Sequence, residues 1–335
     1  LERDAPSANA VAALYGSAGG TVALSAGGWI KLLNGELRLD NSSNWANNYA
    51  SLDIASTASL NFNNFSDSMR VDALTGSGAI TRSGSGAGTL VIGVANHVGT
   101  SGSASYSGSI ANVSGTIALS KLGSGTQTLA GIATNSGDTL ISAGTLRVTG
   151  GLGDSSAVRV ASGATYDARS VDTIGALSAV SGSIVTLGTG AVLTVGGLGT
   201  DTVVATSISG AGGLTKAGSG ILTLSADNTF TGATTVTGGT LAVTGTLADT
   251  TALTLSASGT AYTLGRSDTI GSLAGVAGSS VTLANGVTLS AGGTGASTTL
   301  ASLVSGNGSL VKQGSGTWTL SGANSYGGTT TVQGG

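Results

Sequence analysis

The sequence predicts an all-β chain wound as a solenoid, a β-helix. Three observations predict it. Val, Leu and Ile alternate with Thr, Ser and Gly at a period of two, with no stretch at the 3.6-residue period of a helix. Runs of about five residues, such as "ILTLS" and "TLAVT", are punctuated by Gly, Asn, Asp and Ser, which tolerate tight corners. A unit of about 96 residues also recurs along the chain.

The repeat is read by aligning three near-copies of one phrase. "LSKLGSGTQTLA" begins at Leu119, "LTKAGSGILTLS" at Leu214 and "LVKQGSGTWTLS" at Leu310. Their lysines, Lys121, Lys216 and Lys312, are 95 and 96 residues apart, although the chain has only four lysines. The match extends over 119–150, 214–245 and 310–335. Between the phrases, "DTIGALSAVSGSIVTLGTGAVLTVGG" (172–197) lies over "DTIGSLAGVAGSSVTLANGVTLSAGG" (268–293). A degenerate fourth copy, "LTGSGAITRSGSGAGTLVIG" (74–93), puts Arg82 at the lysine position and inserts two residues before its last strand. Residues 1–75 are expected to be diverged turns or a cap of the coil, and 76–335 its regular part.

Side-chain parity gives each strand two faces. Leu222 and Leu224 share one side, with Thr223 opposite; Gln127 with Leu129, and Trp318 with Leu320, occupy the same side in the other copies. Leu241 and Val243 point together, as do Leu146 and Val148. A stack of turns buries such a stripe against its neighbours, and no turn is stable alone. Turns of roughly 20–24 residues stacked ~4.8 Å apart would give about 15 turns. Successive lysines would then stand roughly 20 Å apart along the axis. Each lysine is expected to keep its charged head in solvent while its stem covers a glycine corner. Gly123, Gly218 and Gly314 are the expected corner residues, and Leu129, Leu224 and Leu320 the expected core layer.

Composition narrows the function classes. The 335 residues include 59 Gly, one Pro and no Cys; 40% are hydrophobic, 8% charged and 4% aromatic. Apolar residues spaced at period two argue against a flexible Gly/Ser linker. No run approaches the ~18 apolar residues of a spanning helix. Net charge is −3 without a Lys/Arg cluster, which argues against a nucleic-acid partner. Disulfide staples are excluded. The opening "LERDAPSANA" has no apolar signal core, and "TTTVQGG" stops in mid-phrase, so the chain is expected to be a piece of a longer protein.

The stretch "LTKAGSGILTLSADNTFTGATTVTGGTLAVTG" (214–245) resembles the passenger-associated transport repeat of autotransporters, also called the autotransporter-associated β-strand repeat. The residues carrying the resemblance are Leu214 and Lys216, Gly218 and Gly220, Leu222 and Leu224, Asn228 with Phe230 and Gly232, and Gly239, Thr240 and Leu241. The last copy agrees at Lys312, Gly314, Gly316, Leu320, Asn324, Tyr326 and Gly328. The first departs at its turn, where Asn135 stands in the aromatic's place. The resemblance implies a right-handed parallel β-helix, secretion to the surface of a Gram-negative bacterium, a part for the repeat in export, and a C-terminal β-barrel translocator outside these residues.

Chemistry was sought residue by residue. The 13 Asp and two Glu are scattered, whereas a polysaccharide-cleaving site needs converging carboxylates. Asp67 and Asp72 with Arg70 form the densest group and read as a solvated turn; Asp172 and Asp268, equivalent in the repeat, read as turn residues. His97 is the single histidine, so neither a metal centre nor a cofactor site is expected. "GSGSGAG" leads into no helix and is no phosphate loop. Trp29, Trp45, Tyr49, Phe62 and Phe65 gather five of 12 aromatics within 40 residues, either as an end cap or as a recognition surface.

Together these readings predict a non-enzymatic, secreted cell-surface passenger acting in adhesion, self-association or biofilm formation. Its partners would be other copies of itself, met through unpaired solenoid ends, or host and abiotic surfaces. A polysaccharide-active β-helix enzyme and a filament or sheath subunit are the alternatives.

Overall fold

The computed structural model describes residues 23–41, 43–97, 100 and 102–335, together with the backbone of strands Glu2–Arg3 and Val11–Leu14. The described residues form strands and turns and no helix. They fall into two compact units, Leu1–Thr173 and Ile174–Gly335.

In the first unit three ladders of parallel strands run side by side. One contains Glu2–Arg3, Trp29–Leu32, Ser51–Ile54, Leu74–Gly76, Ser103–Tyr106, Thr126–Leu129, Thr145–Val148 and Thr165–Ala168. The second runs from Val11–Leu14 through Gly35–Leu39, Ala58–Asn61 and Ala79–Arg82 to Ile110–Asn112. The third contains Ser68–Val71, Ala87–Ile92, Thr116–Lys121, Thr139–Ile141 and Ala157–Val160. Each chain segment visits one ladder after another and returns one strand further along. That is a β-solenoid.

The second unit repeats the plan. One ladder runs from Val192–Val195 through Gly213–Lys216, Thr234–Val236, Ala252–Leu255, Ser272–Gly275 and Thr298–Leu300 to Trp318–Leu320. Another includes Thr202–Val204, Ile221–Leu224, Thr240–Val243, Ala261–Leu264, Ser280–Leu283 and Leu303–Gly306. The third contains Asp268–Ile270, Thr288–Ala291, Ser309–Lys312 and Thr330–Val332.

Register fixes the length of a turn. Leu222 pairs with Leu241, 19 residues on, and Val281 with Val304, 23 residues on. One turn of the first unit is longer: Gly76 pairs with Tyr106, 30 residues on, because 93–102 bulge out of the coil. Inside this bulge lie Asn96 and His97, the two described non-glycine residues with positive φ, at 62° and 61°.

Parity works as expected. Leu222, Leu224, Leu241, Val243, Tyr262 and Leu264 are buried, stacked in register. Thr223, Ala242, Thr263, Thr282 and Ser305 form the outward row of the same ladder. Each buried aliphatic side chain contributes about 1.5–3 kcal/mol. The row outside is β-branched or small, which suits a solvated parallel sheet without charges.

Candidate functional site

The same parity decides where the repeat lysines go. In Gly213–Lys216, Leu214 is buried, so the side chain two residues later must also point inward. Lys121, Lys216 and Lys312 are accordingly only 2%, 1% and 8% exposed. The expectation of a solvated head is therefore corrected: the ammonium lies within the coil. The reason is that a chain corner supplies enough carbonyl oxygens to replace water.

Lys216 Nζ donates to Ala217 O (2.7 Å), Gly218 O (2.9 Å) and Gly238 O (3.1 Å). Lys121 Nζ donates to Leu122 O (2.5 Å), Gly123 O (2.9 Å) and Ala143 O (3.2 Å). Lys312 Nζ donates to Gln313 O (2.5 Å), Gly314 O (2.8 Å) and Gly334 O (3.1 Å). Two acceptors belong to the lysine's own corner, and the third, 22 residues later, to the following turn. All three protons of each ammonium are used, and each lysine ties two turns together.

The corner can form only with glycine. Gly123, Gly218 and Gly314 have φ of 63°, 65° and 68°, a left-handed conformation that turns the carbonyls inward. A Cβ on Gly218 would lie 1.9 Å from the carbonyl oxygen of Gly196 in the preceding turn. Gly239 of the following turn sits on Gly218 in the same way, so the corners stack as a glycine column.

The lysines do not form a row. Within the second unit, Lys216 belongs to the ladder containing Thr234–Val236, and Lys312 to the ladder containing Thr288–Ala291. The repeat is not a whole number of turns, so the clip moves to another face.

Lys121 and Lys216 differ in their surroundings. Burial lowers the Lys216 ammonium from its ordinary range, opposed by Asp201. Burial pushes Lys121 down to about 8, opposed by Asp72. Asp72 is not the solvated turn residue expected; it is fully buried, and its Oδ1 accepts from Ala95 N and His97 N, both at 2.8 Å. The carboxylate thus pins the bulge. His97 is buried beside it, and burial together with Lys121 lowers its imidazole against the opposing effects of Asp72 and Gln127. Gln127, in a position held by Leu222 in the next copy, accepts from Leu74 N (3.1 Å) and donates to Leu74 O (2.9 Å). The bulge leaves Leu74 without its usual strand partner on that side, and Gln127 reaches 53 residues back to replace it.

Arg82 marks the same position in the degenerate copy. It too is fully buried, but its guanidinium donates to Phe65 O of the preceding turn (2.7 Å) and to Ser85 O of its own corner (2.8 Å). Burial lowers it from its ordinary range.

Other repeat positions also tie turns. Asn228 Oδ1 accepts from Ile208 N (3.0 Å), and its Nδ2 donates to Thr246 O (2.9 Å), on either side of its own turn. In the first copy Phe230 is replaced by Asn135, which is buried and donates to Ile117 O (3.0 Å). Asp172 and Asp268 are more than turn residues. They accept from Leu152 N and Leu247 N of the preceding turn and from the amide following each aspartate. Burial raises both carboxyls to about 6 against these hydrogen bonds.

The aromatic cluster divides. Trp45, Phe62 and Phe65 are buried, with Phe62 and Phe65 edge to face at 5.9 Å, and belong to the core. Tyr49 is 40% exposed, and Trp29 lines a surface cavity. Among the described residues no group of three or more His, Cys, Asp or Glu is arranged to hold a metal ion.

Residues 119–148, 214–243 and 310–335 match the family model described as passenger-associated-transport-repeat. No curated protein matches the chain, and no solved structure matches it. The matched segments coincide with the three lysine corners. The chain thus carries three copies of the passenger-associated-transport-repeat in a β-solenoid, consistent with the passenger domain of an autotransporter, and such repeats imply secretion to the cell surface.

Proposed function

We propose that the chain is a non-enzymatic surface passenger that presents a stiff, weakly charged coil for adhesion, self-association or biofilm formation, and that a membrane β-barrel outside these residues serves its export. The observation that carries the reading is the coincidence of the matched repeats with clips that join one turn to the next. A side chain whose third acceptor lies 22 residues later completes its bonding only when the next turn is laid down. That favours orderly growth of the coil from an unfolded chain. The outward row Thr223, Ala242, Thr263, Thr282 and Ser305 supports self-association, because it carries no charge to repel an identical copy.

The test displays the chain on a non-adherent bacterium and measures clumping, retention on glass and retention on epithelial cells, with sedimentation of the purified chain alongside. Concentration-dependent association or adhesion above an unrelated displayed solenoid is expected. A strict monomer on cells that neither clump nor adhere overturns the role.

A further inference from the structure

We infer that the first unit carries a binding site for a neutral saccharide, built on the outer face of Trp29–Leu32, Ser51–Ile54 and Leu74–Gly76. It deepens the surface role proposed above by naming a chemical class of partner. Lys31, Asp53 and Thr75 stand in register on three successive strands, and Trp29 lies on the same face two residues before Lys31. These four side chains line an open cavity of about 330 Å³. That is the low end of the range for small-molecule sites, about 300–1,000 Å³.

The polar groups are available. Thr75 Oγ1 donates to Asp53 Oδ1 at 2.8 Å, which orients the carboxylate and leaves Oδ2 as a free acceptor. Lys31 is exposed and has no hydrogen-bond or ion-pair partner among the described residues. The cavity therefore offers a donor with three protons, an oriented acceptor and an indole ring, within one small space. One positive and one negative head cancel, which disfavours a charged ligand of either sign. A wholly apolar ligand would strip water from both heads without returning a hydrogen bond. A neutral sugar ring matches all of these: its C–H face stacks on Trp29, and neighbouring hydroxyls bridge Lys31 and Asp53. The outward row of the second unit, all Thr, Ala and Ser, has no such combination.

Saturation-transfer-difference NMR of the purified chain with glucose, galactose, mannose, N-acetylglucosamine and their β-linked disaccharides tests the assignment. At least one sugar is expected to receive saturation at its ring protons. Trp29→Ala and Asp53→Ala should each weaken that binding about tenfold, equivalent to about 1.4 kcal/mol. Circular dichroism should match the parent, because both side chains point out of the core. Tyr49→Ala, outside the cavity lining, should bind as the parent does. No transfer to any sugar of the panel overturns the site, as does undiminished binding by the folded Trp29 and Asp53 variants. Adhesion without sugar binding would sink this site and leave the surface role standing; sugar binding without adhesion would do the reverse.

Discussion

Lys216 and Arg82 occupy one position of one phrase, yet they tie the coil in opposite directions. Lys216 binds its own corner and the turn that follows; Arg82 binds its own corner and the turn that precedes. The corner after Lys216 is "AGSG", and the one after Arg82 is "SGSGAG". The longer side chain thus goes with the longer corner. The difference teaches that the repeat position does not demand lysine as such. It demands an inward cation that satisfies carbonyls which a glycine corner turns away from water. A buried charge of this kind is tolerated because each of its protons has an acceptor.

Four substitutions sharpen or break that comparison, in descending order of effect. Gly218→Ala should be the most damaging, at about 4 kcal/mol or more, since it adds left-handed strain to an overlap with a backbone oxygen. Urea denaturation read with amide exchange at the corner measures it. Lys216→Met keeps the stem and removes the charge; the orphaned carbonyls should cost about 3 kcal/mol and open the 217–238 amides first. Arg82→Lys should cost about 2 kcal/mol, because a shorter cation cannot hold Phe65 O and Ser85 O together. If Arg82→Lys were neutral, corner length would not set the direction of the tie.

The smallest effect is a pH dependence. Asp172 and Asp268 sit at about 6 in the folded chain against an ordinary 3.8, so the folded chain binds these protons more readily than the unfolded one. Their contribution therefore rises as pH falls from about 6 to 3.8 and is complete below that. The double variant Asp172→Asn, Asp268→Asn should flatten the melting-temperature profile between pH 7 and pH 4.5. An unchanged slope would assign the dependence to other groups.

Much of the fold was legible. Period-two alternation put Leu222, Leu224, Leu241 and Val243 inside, and the repeat located the glycine corners. The burial of the lysines was also written in the sequence, as Leu214 two residues before Lys216 and Leu310 two residues before Lys312. The preference of ammonium groups for water argued the other way, and carbonyls that exist only after folding reversed it. The Asp72–His97 contact and the Gln127–Leu74 pair were not legible, since they depend on a bulge whose path is set by other turns. Nor did aromatic density separate the buried Trp45 from Trp29, because their difference lies in strand phase.

The clip itself is most directly tested by the reactivity of the four lysines. The folded chain is treated with an amine acylating reagent, and modification at each lysine is followed by peptide mass spectrometry. Lys31 should react at once. Lys121 and Lys216 should stay unmodified until the chain is denatured, with Lys312, the most exposed of the three, in between. Four lysines reacting at the same rate in the folded chain would return the ammonium groups to solvent and contradict the account.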